Sequence, residues 1–215
     1  MSYKIVFIDE ELDQQEILTK HFKSLFPNAI IRCEFPLPTV EQMIDKIWSF
    51  CPDAIVTDFR LSEIREGVNY TVMYNGIDLL NTVRAQRNDF PCFVITSFDD
   101  QAVNFSEDVN LVYDKIQLLT SRENEKVPFA SRVIQQIDKY RARLKSAELE
   151  LLSLLAKRKT GEVNVYEEDR IIELDTILER ALSVQDSVPK ELKKFTNLDR
   201  LNKLIDKVDE LLNRI

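Results

Sequence analysis

The sequence contains few of the residues from which common enzyme sites are built. Glycine occurs three times in 215 residues, and histidine occurs once, at His21. Three scattered glycines cannot form a glycine-rich phosphate-binding loop, which needs several of them close together. One histidine and three cysteines without a CxxC pair argue against a zinc site. The sequence therefore disfavours both of these classes of site.

Long apolar runs and a secretory signal are also missing. No stretch approaches eighteen consecutive apolar residues, so we expect no membrane span. The first residues, MSYKIVFIDEE, reach acidic side chains by the ninth position and lack a small-residue cleavage site. Cys33, Cys51 and Cys92 stand among apolar residues and suit buried thiols in a reducing compartment. We therefore expect a cytoplasmic protein.

Positive charge is scarce in the first part of the chain. Residues 1–119 hold 10 Lys and Arg against 19 Asp and Glu, whereas residues 120–215 hold 19 against 18. An acidic surface disfavours nucleic-acid binding, because phosphate contacts need a basic face. The second part is densely charged with both signs, as solvated helices usually are. We expect no nucleic-acid partner for either part.

The first 119 residues alternate between short apolar runs and longer amphipathic stretches. Runs that are short, β-branched or aromatic and bounded by Pro, Asp or Asn predict five strands, at residues 3–8, 29–33, 54–57, 92–96 and 111–113. The amphipathic patterns predict helices at about 12–26, 39–50, 76–87 and 99–107. Strands that alternate with helices indicate an α/β fold with a five-stranded parallel sheet, doubly wound and covered on both faces.

The pattern changes after Lys115. Residues 121–127 are polar, as in a linker, and Pro128 suits the first turn of a helix. Beyond it, apolar residues recur in strict 3-4 steps, as in a heptad seam, at Ala130, Val133, Ile137, Tyr140, Leu144, Ala147, Leu151 and Leu154. This seam predicts one helix over about 128–158, which ends before Gly161.

Two further helices are expected after the long one. Apolar spacing predicts a helix over about 165–183, and a second 3-4 seam from Leu201 to Ile215 predicts another. We therefore divide the chain into residues 1–127 and an all-α region, 128–215, that forms a helical hairpin or bundle. An intramolecular bundle and an intermolecular coiled coil, which would make a homodimer, fit these seams equally well.

Charged and hydroxyl side chains follow four of the five predicted strands. Asp9 and Glu10 follow the first strand and Asp58 follows the third, while Thr96 ends the fourth and Lys115 comes shortly after the fifth. The carboxyl ends of parallel strands meet at one edge of the sheet, so we expect these side chains to crowd together. Carboxylates that close repel one another unless a cation lies among them, and Mg²⁺ prefers such oxygen ligands. Asp58 would then be a nucleophile that forms an acyl phosphate, with Lys115 balancing its charge.

The segments KIVFIDEE, PDAIVTDF, NGIDLLNTVR, FVITSF and VYDK resemble, in order and spacing, the receiver domain of two-component response regulators. The resemblance covers about residues 3–140. It implies that Asp58 is the phosphoacceptor and that Asp9, Glu10, Asp58 and the backbone carbonyl of Arg60 hold Mg²⁺. It also implies that Thr96 is the switch hydroxyl and that Lys115 binds the phosphoryl group. The implied partner is a histidine kinase or a phosphotransfer protein of a phosphorelay.

The sequence departs from the pattern of that family in four places. About ten extra residues, within 61–74, delay the usual glycine to Gly76. Ile116 replaces the proline that usually follows the lysine. Val112 stands where an aromatic residue usually reports activation; Tyr113 comes one step later, so we expect it on the other face of its strand. The stretch between Thr96 and Lys115 is short, so we expect a stunted fourth helix.

These observations favour a phosphorylated response regulator whose signal passes through its C-terminal helices to a protein partner or to self-association. The alternative is a phosphorylation-independent adaptor or scaffold built on the same fold, because the departures fall on the usual output route. We do not expect a conventional enzyme. Phosphohydrolases with an aspartate nucleophile need a second acid two residues later, where this chain has Arg60.

Overall fold

The computed structural model describes residues 2–62, 70–97, 112–115 and 128–182. Its strands are β1 (Lys4–Ile8), β2 (Ile30–Glu34), β3 (Ala54–Asp58), β4 (Cys92–Thr96) and β5 (Val112–Asp114). Its helices are α1 (Leu12–Leu25), α2 (Val40–Ser49), α3 (Gly76–Gln86), α4 (Phe129–Thr160) and α5 (Val165–Leu182). The predicted helix over 99–107, the predicted helix with the seam from Leu201 to Ile215, and the predicted linker 121–127 lie outside the described residues.

The five strands form one parallel sheet in the order β2-β1-β3-β4-β5. This is the order of a doubly wound, flavodoxin-like sheet. Every residue of β3 and β4 is buried, because helices cover both faces of a parallel sheet. The predicted α/β fold with an all-α region after it is therefore confirmed, and each strand begins and ends within one residue of its predicted bounds.

Alternate residues of the strands enter two separate apolar cores. Val6 and Ile8 pack with α2 and α3 on one face of the sheet. Ile5 and Phe7 pack with α1 and the beginning of α4 on the other face. This alternation follows from the two-residue repeat of side chains along a strand. The first turns of α4 therefore belong to the core of the sheet.

The chain divides into two compact units, Met1–Tyr140 and Arg141–Ile215. In the second unit, the rest of α4 packs against α5 through a cluster of Ala147, Leu154, Ile171 and Leu174. Gly161, with φ of 76°, lies between the two helices. The beginning of the heptad seam predicted for α4 thus packs against the sheet, and Ala147 and Leu154 pack against α5. Leu144, between these two parts, is half-buried.

Ion pairs and a helix cap fix the α4–α5 hairpin. Arg170 makes two hydrogen bonds to Glu150, of 2.8 and 2.9 Å. The Asn164 side chain accepts a hydrogen bond from the backbone N–H of Glu167. The Glu167 carboxylate accepts one from the backbone N–H of Asn164. This reciprocal pair is a capping box, which satisfies N–H groups that the helix leaves open. In the described parts of the chain, no helix is both long and apolar enough to cross a membrane.

The prediction of three buried thiols is wrong for one cysteine. Cys92 is buried and Cys33 is half-buried, but Cys51 is exposed. Cys51 follows the end of α2 with a positive φ of 50°, in a turn that faces solvent.

Candidate functional site

The first strand ends in two acidic side chains that the fold buries. Asp9 is 1% exposed and Glu10 is 6% exposed. Asp9 Oδ1 accepts a hydrogen bond from the backbone N–H of Glu11, 2.9 Å away, at the start of α1. The backbone N–H of Asp9 donates to the carbonyl of Glu34, at the end of β2. The turn after β1 thus directs both acids into the carboxyl edge of the sheet.

Asp58, at the end of β3, and Lys115, just after β5, complete the arrangement. Both are buried. The Lys115 Nζ atom lies 3.0 Å from Asp9 Oδ2 and 3.2 Å from Asp58 Oδ1. The lysine therefore bridges carboxylates from two neighbouring strands, as the strand-end pattern predicted.

We call Asp9, Glu10 and Asp58 the acidic cluster. One oxygen of each lies within 4.8 Å of the others. The buried Oε2 of Glu10 accepts no hydrogen bond from the described part of the chain. Hard carboxylate oxygens at this spacing, one of them without a donor, fit a divalent cation such as Mg²⁺.

The charges of the acidic cluster are costly in this environment. Burial raises the pKa of Asp58 to about 6 and that of Glu10 to about 8. Burial also raises the pKa of Asp9, although Lys115 opposes the shift. For Lys115, burial works to lower the pKa, but the charges of Asp58 and Asp9 raise it overall. Lys115 thus pairs with Asp9 and Asp58, and a bound cation would relieve the remaining excess of negative charge in the cluster.

The remaining predicted site residues lie at the same edge of the sheet. Thr96 ends β4, is 1% exposed and lies in register with Asp114 of β5. Arg60 lies two residues after Asp58 and is half-buried. The predicted switch role of Thr96 and the predicted metal contact of the Arg60 carbonyl stay predictions.

Gly76 lies beside the end of β3 even though the extra residues delay it in the sequence. Its backbone N–H donates to the carbonyl of Phe59 over 2.9 Å. A Cβ atom at this position would lie 2.0 Å from the carbonyl oxygen of Asp58 and 2.9 Å from Thr57 Cγ2. Only glycine allows α3 to start this close to the proposed phosphoacceptor.

The two ends of the extra segment are anchored to the core. Leu61, Val72 and Tyr74 are buried in the apolar cluster beside α2 and α3. The hydroxyl of Tyr74 donates to the Leu37 carbonyl over 2.8 Å, and that of Tyr70 donates to the Pro36 carbonyl over 2.9 Å. Burial raises the pKa of Tyr74 to about 12, so this donor stays protonated. The insertion is thereby tied to the loop after β2.

Tyr113 lies on the face of β5 that the sequence predicted. Its ring lies 5.0 Å from that of Phe129 and 6.0 Å from that of Phe93, on the α1 and α4 side. Val112 packs with the cluster on the opposite face. Tyr113, two residues before Lys115, therefore contacts the first turn of α4.

Sequence reasoning missed one polar residue of the site. The buried amide of Gln15, on α1, donates to the carbonyl of Asp9 over 2.7 Å. A glutamine within an amphipathic pattern carries no signal for such a contact, because the contact depends on how α1 lies over the ends of β1 and β2.

No protein-family model and no curated protein matches this chain. Solved structures do match. The anti-anti-sigma factor PhyR from Bartonella quintana is 14% identical with a TM-score of 0.45, over 69% of this chain and 52% of that one. The response regulator PhyR from Brucella abortus is 14% identical with a TM-score of 0.42, over 68% and 52%. The receiver domain of the response regulator MerR from Colwellia psychrerythraea 34H is 16% identical with a TM-score of 0.37, over 53% and 86%.

The chain spans about half the length of the two PhyR structures. By their descriptions, these three structures are an anti-anti-sigma factor, a response regulator and a receiver domain.

Proposed function

We propose that this chain is a phosphoacceptor response regulator of the cytoplasm, which takes a phosphoryl group on Asp58 with Mg²⁺. The signal then passes through the C-terminal helices to a protein partner or to self-association. The observation that carries the proposal is the Lys115 ammonium, which lies between the carboxylates of Asp9 and Asp58 in a buried cluster at the carboxyl edge of the sheet. That edge is where an open α/β sheet binds its ligands.

The chemistry follows from these contacts. A carboxylate oxygen of Asp58 attacks the phosphorus of a phosphohistidine on the kinase or phosphotransfer protein. An O–P bond forms, the P–N bond breaks, and its electron pair leaves with the imidazole, which then binds a proton. With a pKa of about 6, the Asp58 carboxyl is mostly ionised at neutral pH and so is competent to attack. Lys115, which already contacts Asp58, can bind an oxygen of the transferred group.

Two further groups support the transfer. Asp9, Glu10 and Asp58 would hold Mg²⁺, which when bound offsets negative charge on the carboxylates and the phosphoryl oxygens. The Thr96 hydroxyl, on the neighbouring strand, would donate a hydrogen bond to the phosphoryl group. The only reactions proposed for the chain are acceptance of this group and its later hydrolysis.

The route to the C-terminal helices is proposed to begin at Phe129. This side chain is 1% exposed and packs edge-on against Phe93 of β4, with ring centroids 5.8 Å apart. It also contacts Tyr113, two residues before Lys115. A shift of Thr96 or of β5 on phosphorylation would therefore reach the first turn of α4, as a bias between two arrangements.

The proposal is tested by intact-mass spectrometry after incubation with acetyl phosphate, with and without Mg²⁺. We expect one phosphoryl adduct on the wild-type chain, dependent on Mg²⁺ and absent in Asp58→Ala. Asp45→Asn, an exposed acid on α2, is the matched control and should be labelled normally. An equally labelled Asp58→Ala protein, or a folded wild-type protein without an adduct, would refute the assignment.

A phosphorylation-independent adaptor is the second candidate. It is favoured by Val112, which occupies the usual place of the activation aromatic and packs on the α2 and α3 side, away from Phe129. If Mg²⁺ with beryllofluoride, a phosphoryl mimic, leaves hydrogen exchange in α4 and the oligomeric state unchanged, the adaptor is the better description.

A further inference from the structure

We propose that Gln15 is a positioning residue for the acidic cluster: its side-chain amide fixes the peptide that joins Asp9 to Glu10 and so sets the affinity for Mg²⁺. The inference rests on the proposed function, because it assigns a role in the metal site of that function. The inference goes beyond that function because it names a residue on α1 that would contact neither the phosphoryl group nor the cation.

The geometry of the amide carries the proposal. Gln15 is 5% exposed, and its Nε2 donates to the Asp9 carbonyl over 2.7 Å and to the Glu34 carbonyl over 3.3 Å. Both carbonyls lie at strand ends, after β1 and at the end of β2. A primary amide has two N–H donors, so one side chain satisfies both carbonyls.

The Asp9 carbonyl is part of the peptide unit that links the two acids of the turn. Because that unit is planar, a hydrogen bond to its oxygen orients the backbone of both residues. The backbone N–H of Asp9 is held in turn by the Glu34 carbonyl, over 3.3 Å. The Ile8–Asp9 peptide is therefore bonded to β2 directly, whereas the Asp9–Glu10 peptide is bonded to it only through Gln15 among the described residues.

Glu10 depends on this restraint more than Asp9 does. The Asp9 carboxylate accepts from Lys115 and from the backbone of Glu11. The Oε2 atom of Glu10, in contrast, accepts no hydrogen bond from the described part of the chain. The position of this oxygen therefore depends on the conformation of the turn that carries Glu10.

Mg²⁺ is sensitive to such a movement. It requires nearly octahedral geometry at about 2.0–2.1 Å from each oxygen, so small displacements of one ligand weaken binding. Removal of a residue that orients a metal ligand typically lowers metal affinity about 10- to 100-fold. We expect an effect of this size when the Gln15 amide is lost.

The test uses the full chain with Gln15→Met, which keeps the length and volume of the side chain and removes both donors. Thr39→Ala is the control; it removes the side-chain cap of α2, whose hydrogen bond goes to the Gln42 backbone and not to the turn after β1, and should cost stability alone. Isothermal titration with Mg²⁺, thermal unfolding and hydrogen exchange of the Glu11 amide are measured on each protein. We expect the Mg²⁺ dissociation constant to rise about tenfold or more in Gln15→Met and to stay unchanged in Thr39→Ala.

Hydrogen exchange provides a readout without metal. The backbone N–H of Glu11 donates to Asp9 Oδ1. If the turn is less restrained in Gln15→Met, this N–H should exchange its hydrogen faster, even with chelator present. Equal Mg²⁺ affinity and equal exchange in Gln15→Met and wild type would overturn the positioning role.

Gln15→Glu is a second variant, made in case Gln15→Met does not fold. It adds negative charge near the cluster, which alone would strengthen Mg²⁺ binding, yet it lacks both donors. Weaker binding at pH 8 supports the positioning role, and stronger binding contradicts it. If wild-type protein accepts phosphate and binds Mg²⁺ while the variants bind equally well, this inference alone fails. If wild-type protein binds no Mg²⁺, the metal site fails with it.

Discussion

Ionisation of the acidic cluster works against folding when no cation is bound. The folded chain raises the pKa of Asp58 from 3.8 to about 6 and that of Glu10 from 4.5 to about 8, mainly through burial. The folded state therefore holds its protons to higher pH than the unfolded state does. The stability linked to these groups is fully present below the unfolded pKa values and is lost as the pH rises through about 6 and then about 8.

We predict that the chelated protein loses stability between pH 5 and pH 8, by on the order of 1–3 kcal/mol. Mg²⁺ should restore the loss at pH 8, because it binds the ionised carboxylates of the folded state. Denaturant unfolding at pH 5, 6.5 and 8, with chelator and with Mg²⁺, measures both effects. Glu10→Gln is the control, since it removes the group with the higher pKa and should flatten the profile above pH 6.5. Stability that is constant or rising over this range in chelator would contradict the assignment.

The elements of this chain differ in how well sequence alone predicts them. The strands were predicted within one residue, because each short apolar run is bounded by turn residues. The proximity of Asp9, Asp58 and Lys115 was predicted because parallel strands bring their carboxyl ends together. The distance in sequence between Asp58 and Gly76 suggested that the glycine is displaced from its usual place. In the structure, Gly76 still lies against the end of β3, which the sequence alone does not show.

The long helix α4 shows a different limit of sequence reasoning. Its 3-4 seam has the same spacing whether it faces a sheet, a second helix or another chain. The structure uses its first part against β4 and α1 and its later part against α5. Periodicity predicted the helix but could not give its neighbours, which depend on contacts distant in sequence.

Phe129 is the residue through which we expect a change in β4 or β5 to alter the conformation of α4. It makes edge-on or tilted ring contacts with Phe22, Phe93 and Tyr113, at 5.9, 5.8 and 5.0 Å. Phe129→Leu keeps an apolar side chain but loses these ring contacts. We predict that the variant still accepts a phosphoryl group at Asp58, while the phosphorylation-dependent change of hydrogen exchange in α4 is lost.

Tyr3→Phe is the matched control for that prediction. Its hydroxyl donates to Asp138 on the same helix, over 3.2 Å, but at an exposed site, where the effect on stability should stay within about 0.5 kcal/mol. Mass spectrometry and hydrogen exchange on the phosphorylated proteins provide the two readouts. An unchanged α4 response in Phe129→Leu would place the route elsewhere.

The whole molecule combines the acidic cluster, which we propose as the acceptor site, and a helical hairpin that has a separate apolar core. The acidic cluster lies in the unit Met1–Tyr140, whereas Leu174, 2% exposed, lies in the core of the other unit. Leu174→Ala should destabilise the hairpin by about 2–5 kcal/mol, through lost apolar contact and the cavity left behind. The apolar cluster around Leu174 contains no residue of the sheet. We therefore predict normal phosphorylation of Asp58 in the variant and faster hydrogen exchange in α5.

Ile177→Ala, at a position 44% exposed on the same helix, is the control and should change neither readout much. Phosphorylation that falls in Leu174→Ala but not in Ile177→Ala would mean that the hairpin supports the acceptor site as well as receiving its signal. Acceptance that survives the loss of hairpin packing would instead make the C-terminal helices a pure output, because the chemistry would then need only the sheet and its carboxyl edge.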